Sequence, residues 1–113
     1  MDSDQLNKEI MIATQTTQNN LMKEIVGDEV YEYYPLGEYV VAAPGVCGGR
    51  PTFKYTRLEV SMILTLLSQG HSVEQVVKEY ALSSLTLEAV REAIHLANQA
   101  LLRTTERIHP VAA

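Results

Sequence analysis

The sequence predicts a mainly α protein. The expected fold is a tri-helical, helix-turn-helix-like bundle, preceded by a short β-arm or hairpin and by an N-terminal helical arm. Apolar residues follow a helical period through most of the second half of the chain. In residues 52–57, just before those helices, the side chains alternate with a period of two, as in a strand. The 113 residues, 46% hydrophobic and 20% charged, suit one globular domain.

The first segment, residues 3–26, has the spacing of an amphipathic helix. One face of that helix would carry Leu6, Ile10, Ala13, Thr17, Leu21 and Ile25. Residues 14–20 have poor helix propensity, and Gly27 is a suitable helix end. We expect either an arm that packs on the body or on a second subunit, or a disordered tail.

Two extended segments surround the glycine-rich stretch PGVCGG, residues 44–49. The preceding residues 38–43, EYVVAA, have the β-branched and aromatic content of a short strand. In the following PTFKYTRLEV, side chains 52–57 alternate with a period of two. The pattern predicts a hairpin or an irregular β-arm.

Helical spacing begins after Glu59. The first predicted helix follows Val60, Ile63, Leu64 and Leu67 and is about ten residues long. Gly70 supplies a left-handed cap at its end.

The second helix is short and begins at Ser72, where Gln75 three residues later completes a capping box. The third helix runs from about Thr86 to Arg103. Its main apolar stripe contains Leu87, Val90, Ile94, Ala97 and Leu101, and a second stripe lies beside it. This apolar arc is wider than one small core needs, so the surplus is expected to bury either the N-terminal arm or a partner chain. We expect a homodimer that uses the surplus apolar surface of the N-terminal and third helices.

Charge and composition exclude several classes of protein. The net charge is −5, and residues 1–38 hold eight acids against two lysines, a net −6. An acidic chain does not bind nucleic acid by its overall charge. The sequence has no apolar run of the ~20 residues that a membrane helix needs and no secretory-type start, so we expect a cytoplasmic protein without membrane contact.

No stretch of the sequence predicts catalysis. The glycine loop lacks the Gly-Lys-Ser/Thr end of a phosphate-binding loop, because Arg50 and Pro51 follow Gly49. Cys47 is the single cysteine, and the three histidines are scattered, which argues against a nucleophile–base pair and a metal site. We therefore predict no catalytic, cofactor or metal site. An enzyme that uses Cys47 is the remaining alternative.

The motifs of residues 44–97 resemble a known family. PGVCGGRPTFKYTRLEV, LLSQGHSVEQVVKEY and LTLEAVREAIHLA are similar to the bacterial family named domain of unknown function 433, over about residues 41–97. The family pattern has a proline–glycine loop, an Arg/Lys-Pro-Thr segment, a Gly-Thr-Arg step and a tri-helical unit. The resemblance implies a helix-turn-helix-like fold and a VapB-type antitoxin, which binds a PIN-like ribonuclease toxin and often the operator DNA of its own operon.

Two residues depart from that family pattern. Tyr55 stands where the family has glycine before Thr-Arg; if the position needs a positive φ, Tyr55 is strained or the turn is rebuilt. Ala89 stands where the family tends to carry an acid, which removes one cap interaction although Glu88 still complements the helix dipole.

DNA contact is expected through cations rather than through the third helix. A helix-turn-helix reads bases with the start of its third helix, where Glu88 and Glu92 make a poor DNA-reading face. The predicted nucleic-acid or partner contacts are Arg50, Lys54, Arg57, Lys78, Thr86 and Arg91. Solvated surface charge is the alternative for each cation, and an ion pair with Glu59 or Glu79 is the alternative for Arg57.

A protein partner is the stronger expectation. The acidic residues 1–37 would suit a basic surface such as a ribonuclease active site. Tyr31, Tyr33 and Tyr34 are the predicted interface anchors, with ordinary packing as the alternative.

The chain thus divides into an acidic, partly helical arm (1–37), a helix-turn-helix-like domain (38–103) and a C-terminal tail (104–113). We predict a non-enzymatic antitoxin-like protein that binds a toxin, with operator DNA as a second ligand. The alternative is a protein-interaction module that binds no DNA.

Overall fold

The protein is an α+β structure in which a four-stranded antiparallel sheet precedes three helices. The computed structural model describes residues 20–108. Strands β1 (Met22–Val26), β2 (Glu29–Pro35), β3 (Val40–Ala42) and β4 (Pro51–Phe53) pair in chain order. Helices α1 (Val60–Ser68), α2 (Val73–Glu79) and α3 (Leu87–Ile108) follow. The prediction of a mainly α fold is wrong, because residues 22–53 form a sheet and not only a short arm.

The predicted N-terminal helix is wrong where the structure describes it. Residues 22–26 form β1, which pairs with β2 from Met22 opposite Tyr33 to Val26 opposite Glu29. Gly27, with φ 64°, takes the first position of the two-residue turn, where a positive φ is typical of tight hairpins. The pairing partner outweighs the local helical spacing. The rest of the predicted helix, residues 3–19, lies outside the described residues.

The predicted hairpin around the glycine-rich loop is confirmed. Val40 pairs with Phe53 and Ala42 with Pro51, so β3 and β4 are antiparallel. The loop contains a short 3₁₀ turn, Cys47–Gly49. After β4 the chain turns back at once, and the Phe53 N–H donates to the Leu58 carbonyl at 3.0 Å.

The three predicted helices are present, and their ends follow the sequence signals. At the end of α1, Gly70 has φ 100° and the His71 N–H donates to the Leu66 carbonyl, a Schellman motif. At the start of α2, Ser72 and Gln75 form the predicted reciprocal capping box.

Helix α3 begins where it was predicted and ends later. Thr86 Oγ1 accepts the Ala89 N–H at 3.1 Å and so caps its first turn. The helix continues to Ile108 rather than ending at Arg103. Among residues 20–108, no helix is both long and apolar enough to cross a membrane.

The core lies between the helices and one face of β3 and β4. Its fully buried side chains include Val40, Ile63, Val76 and Val90. A second, smaller cluster of Tyr33, Val41 and Ala43 lies apart from this core. Consecutive strand residues point to opposite faces, so Val40 and Val41 serve the two clusters from opposite sides of β3.

Glu92 fastens α3 to the turn between β2 and β3. Its carboxylate accepts the backbone N–H groups of Glu38 (2.8 Å), Tyr39 (2.7 Å) and Val40 (3.0 Å). Gly37 leaves room for this contact, because a Cβ there would lie 2.5 Å from the carboxylate. The helix is thereby fixed against the sheet in its first third, and residues 101–108 at its other end are exposed.

Candidate functional site

A cluster of three tyrosines, one lysine and one glutamate joins the β1–β2 hairpin to the turn after β4. We call it the tyrosine–lysine cluster: Glu24, Tyr31, Tyr33, Lys54 and Tyr55. The Tyr31 ring centroid lies 5.1 Å from that of Tyr33 and 5.3 Å from that of Tyr55. The Lys54 ammonium lies 4.7 Å from the Tyr33 centroid and 4.9 Å from the Tyr55 centroid. Both distances are those of cation–π contacts.

Glu24 is the anion of this cluster. Its carboxylate accepts the hydroxyls of Tyr33 and Tyr55, and it lies 3.5 Å from the Lys54 ammonium. The hydroxyl donors, Tyr33 first, hold the pKa of Glu24 below its ordinary value, and Lys54 adds to this. In turn Glu24 raises the pKa of Tyr55, and contact with Tyr33 raises the pKa of Lys54. The charged forms of Glu24 and Lys54 are thus stabilised together.

Tyr55 has a strained backbone. Its φ of 68° lies in the left-handed region that glycine adopts easily and a tyrosine rarely adopts. Of the two outcomes expected for this position, the positive φ corresponds to the first, a strained tyrosine. The Tyr55 N–H donates to the Tyr31 hydroxyl at 3.0 Å, and the Tyr55 hydroxyl donates to Glu24 at 2.6 Å. These bonds hold the strained residue against the hairpin.

A cleft of about 780 Å³ lies beside this turn, within the size range of ligand pockets. Three of the predicted contact residues line it: Lys54, Arg57 and Thr86. Thr86 also caps α3, so the positive end of the helix dipole faces the same region. The acidic Glu38 lines the cleft as well, and Leu82 at its edge is fully exposed.

The structure does not bring the other predicted contact residues into this cleft. Arg50 binds Glu59 through two hydrogen bonds of 2.7 and 3.3 Å. The pair raises the pKa of Arg50 and lowers that of Glu59. Lys78 lies on α2 and Arg91 on α3, both exposed.

Arg57 has a free charge within the described part of the chain. It forms no ion pair among residues 20–108: of the two acids suggested for it, Glu59 is bound by Arg50, and Glu79 forms no ion pair with it. Its side chain is exposed at the cleft. Arg57 is therefore the cation of this cleft most available to an external anion.

The tyrosines predicted as interface anchors are largely used inside the protein. Tyr33 is 3% exposed and belongs to the smaller buried cluster. Tyr31 is half-buried between the rings of Tyr33 and Tyr55, and Tyr34 is also half-buried. What the hairpin leaves exposed is a different set of side chains.

Ile25 and Val30 were not predicted as contact residues. They lie directly opposite each other on β1 and β2, and they are 73% and 60% exposed. β1 is also an edge of the sheet, so one side of its backbone has no strand partner among the described residues. The sequence signal for this hairpin was the Gly27–Asp28 pair between two β-prone runs. The helical spacing of the apolar residues before Gly27 led to the prediction of a helix instead.

Two features that bear on catalysis can be assessed among the described residues, the single cysteine and any group that could hold a metal. Cys47 is half-buried at φ 49°, and its thiol donates to the Arg57 carbonyl at 3.4 Å. Residues 20–108 contain no group of three or more metal-ligating side chains placed to hold a metal ion. That the protein is not an enzyme stays a prediction.

Comparison with known proteins gives one family match. The sequence model described as protein of unknown function (DUF433) matches residues 40–97, just over half of the 113-residue chain. Searches of curated proteins and of solved structures give no match. The matched range begins at β3 and ends within α3, so the β1–β2 hairpin and the end of α3 lie outside it.

Proposed function

This chain belongs to the DUF433 family, and we propose that it is a non-enzymatic, antitoxin-like protein that binds a PIN-like ribonuclease toxin. The observation that carries the proposal is the β1–β2 hairpin, which is acidic, apolar at its exposed face and open along one edge. Operator DNA is a second ligand in this proposal, and the cleft beside Arg57 is the surface for it.

The charge of the hairpin suits a basic partner. Residues 22–35 contain four acids, Glu24, Asp28, Glu29 and Glu32, against the single Lys23. Lys23 lies 3.5 Å from Glu32, and Asp28 and Glu29 at the hairpin tip form no ion pair within residues 20–108. A surface that binds RNA phosphates carries positive charge, and acids of this kind would steer the approach of such a surface.

The exposed backbone and side chains of the hairpin supply the contact itself. An open edge strand can add a strand from a partner, with main-chain hydrogen bonds for affinity and side-chain pockets for specificity. Ile25 and Val30 form an apolar pair of the kind that a partner buries.

The tyrosine–lysine cluster prepares the hairpin for binding. Two-stranded hairpins are marginally stable alone, and this one is held by Glu24, Tyr31 and Tyr33 against the turn that contains Tyr55. A hairpin held in place loses less conformational entropy on binding.

Purification of the tagged full chain from its own cells, followed by identification of co-purified proteins, tests the proposal. We expect a small, basic ribonuclease-like protein whose activity falls when this chain is added. Two hairpin variants should lose it: Ile25→Ser with Val30→Ser, which removes the apolar pair, and Asp28→Lys with Glu29→Lys, which reverses the free charge. Met62→Ser, an exposed apolar change on α1, is the matched control.

Two results would contradict the proposal, the first for the toxin partner and the second for the hairpin as its binding surface. One is recovery of the chain without any nuclease at native expression and low salt. The other is a nuclease that remains bound to both hairpin variants. The second result would move the binding surface away from the hairpin.

Binding of DNA is the second candidate function, and the convergence of Lys54, Arg57 and Thr86 on one cleft favours it. A mobility-shift assay with the DNA upstream of the gene should show a shift that weakens as salt rises, because phosphate contacts release counterions. Arg57→Ala should weaken binding, while Arg50→Ala, whose charge Glu59 already neutralises, should change it little. An equal shift with both variants would exclude the cleft as the DNA-binding surface. If the original chain gives no shift, the alternative of a protein-interaction module that binds no DNA would stand.

A further inference from the structure

Lys54 belongs to two sites at once. It lines the cleft together with Arg57. Its ammonium also lies 3.5 Å from the Glu24 carboxylate and in cation–π contact with the rings of Tyr33 and Tyr55. The side chain keeps 26% of its surface exposed, so the tyrosine–lysine cluster does not seal it from solvent. One cation is therefore shared between the β1–β2 hairpin and the cleft.

The turn after β4 holds Lys54 at this boundary. The Lys54 N–H donates to the Tyr39 carbonyl at 2.8 Å, which ties the residue to the start of β3. The next residue, Tyr55, also lines the cleft. Its N–H donates to the Tyr31 hydroxyl, and its hydroxyl donates to Glu24. The hairpin and the cleft are thus connected through two adjacent residues that have defined contacts on both sides.

The two cations of the cleft differ in their surroundings. Arg57 forms no ion pair within the described part of the chain, whereas Lys54 faces the Glu24 carboxylate. The hydroxyls of Tyr33 and Tyr55 lower the pKa of Glu24, so this carboxylate is charged at neutral pH. A phosphate near Lys54 would be attracted by the ammonium and repelled by the carboxylate. Glu24 therefore offsets what Lys54 can contribute to the binding of an anion.

We propose that Glu24 and a phosphate of DNA bound in the cleft compete for the charge of Lys54. This inference rests on the proposed role of the cleft as a DNA-binding surface. The competition is reciprocal: Glu24 weakens the binding of the phosphate, and the phosphate weakens the contact that holds the hairpin. A partner that draws the hairpin away from the turn therefore strengthens DNA binding. The hairpin is a built-in inhibitor of the cleft.

The affinity of the full chain for DNA tests the competition. Fluorescence anisotropy with a labelled duplex from upstream of the gene measures the dissociation constant, in moderate salt that screens distant charges. Glu24→Gln should lower the dissociation constant about 5-fold or more, because it frees the charge of Lys54. Circular dichroism should show that the variant stays folded.

Glu32→Gln is the matched control. It removes the same charge from the same hairpin, and Glu32 also lies 3.5 Å from a lysine. That lysine, Lys23, does not line the cleft. The control should therefore leave the affinity for DNA nearly unchanged.

Hydrogen exchange of the original chain tests the reverse direction and needs no variant. Saturating DNA should speed the exchange of the β1 amides, because the phosphate competes with Glu24 for Lys54. The amides of α1, which has no part in the cluster, should not exchange faster.

The possible failures can be told apart. Equal affinity of the original chain and Glu24→Gln would overturn the competition and leave the cleft as a DNA-binding surface. No binding by either chain would overturn the competition together with DNA as a ligand. Equal gains in Glu24→Gln and Glu32→Gln would show a general effect of net charge and would also overturn the proposal. So would slower exchange of β1 with DNA, because the coupling would then have the opposite sign.

Discussion

The body of the protein, residues 40–97, and the two segments that flank it differ in how far their apolar residues are buried. The body contains the fully buried side chains of the main core, and it is the part that matches the DUF433 family. The flanking segments, the β1–β2 hairpin and residues 98–108 of α3, expose Ile25, Val30, Leu101 and Ile108 to solvent. The main apolar core thus lies in the body, whereas the flanking segments leave several large apolar residues available for contacts.

This difference separates stability from binding within one short chain. A body of about 60 residues buries a modest core, so it has little stability to spare for strained or open binding sites. The hairpin is joined to the body by the short β2–β3 pairing, by buried Tyr33 and by the bonds of Glu24. Helix α3 is fixed by Glu92 in its first third, before the flanking residues begin. We infer that sequence change in the flanks alters partners, whereas change in the body alters folding.

The largest expected contrast is between two isoleucines. Ile63→Ala should lower the free energy of unfolding by about 2–5 kcal/mol, because Ile63 is completely buried and the change leaves a cavity. The same change at Ile25, on the exposed face of the hairpin, should alter it by less than about 0.5 kcal/mol. Urea denaturation of both variants measures the difference. Equal losses would show that the hairpin is part of the cooperative core.

A smaller loss is expected at the contact between α3 and the β2–β3 turn. Glu92→Gln removes a charged acceptor for three backbone N–H groups and should cost about 1–3 kcal/mol. Gly37→Ala should cost a similar amount, since the added Cβ displaces the same carboxylate.

The two changes at this contact should not add. In Glu92→Gln, where the contact is already weakened, Gly37→Ala should cost less than it does in the original chain. A double-mutant cycle by chemical denaturation measures the coupling. Strict additivity would contradict the role of Gly37 as the space for Glu92.

Tyr55→Gly should act on the hairpin alone. Glycine relieves the strain at φ 68°, but the change removes the ring and hydroxyl that contact Tyr31, Lys54 and Glu24. We expect faster hydrogen exchange of the β1 and β2 amides and unchanged or slower exchange in α1. Tyr55→Phe, which keeps the ring and loses only the Glu24 bond, should give an intermediate effect. An unaltered hairpin in Tyr55→Gly would show that the cluster does not hold it.

Acid should loosen the hairpin before it unfolds the body. The pKa of Glu24 is lower in the folded protein than its ordinary value of 4.5, so its contribution is complete above the unfolded pKa and is lost as the pH falls through the folded one. Hairpin amide exchange between pH 6 and pH 3, corrected for the intrinsic pH dependence, measures this loss. Glu24→Gln should remove the extra pH dependence in the hairpin and leave that of α1 unchanged.

The body was predicted well because its signals are local. Ser72 with Gln75, and Gly70 after an apolar period, specify helix ends by chemistry within a few residues of each end. The β3–β4 hairpin was also predicted, since β-prone runs flank a glycine-rich loop. In these elements the apolar pattern, the capping residues and the turn residues all indicate the structure that forms.

The β1–β2 hairpin was not predicted, because some of the residues that stabilise it are distant in the sequence. Leu21 and Ile25 lie four residues apart and satisfy a helical pattern, while the pairing of β1 depends on β2 and on Lys54 and Tyr55, about thirty residues further on. No local rule includes those partners. The cleft was missed for the same reason: Arg57 and Thr86 meet only when α3 packs beside the turn.

Residue-by-residue hydrogen exchange of the full chain at low concentration tests the distinction between body and flanks most directly. The account predicts that the amides of Val40, Ile63, Val76 and Val90 exchange only through global unfolding, and that those of β1 and of residues 101–108 exchange through local opening at lower free energy. Uniform protection from β1 to the end of α3 would contradict it. The hairpin and the helix end would then belong to the cooperative fold, and their exposed apolar residues would not mark separate binding segments.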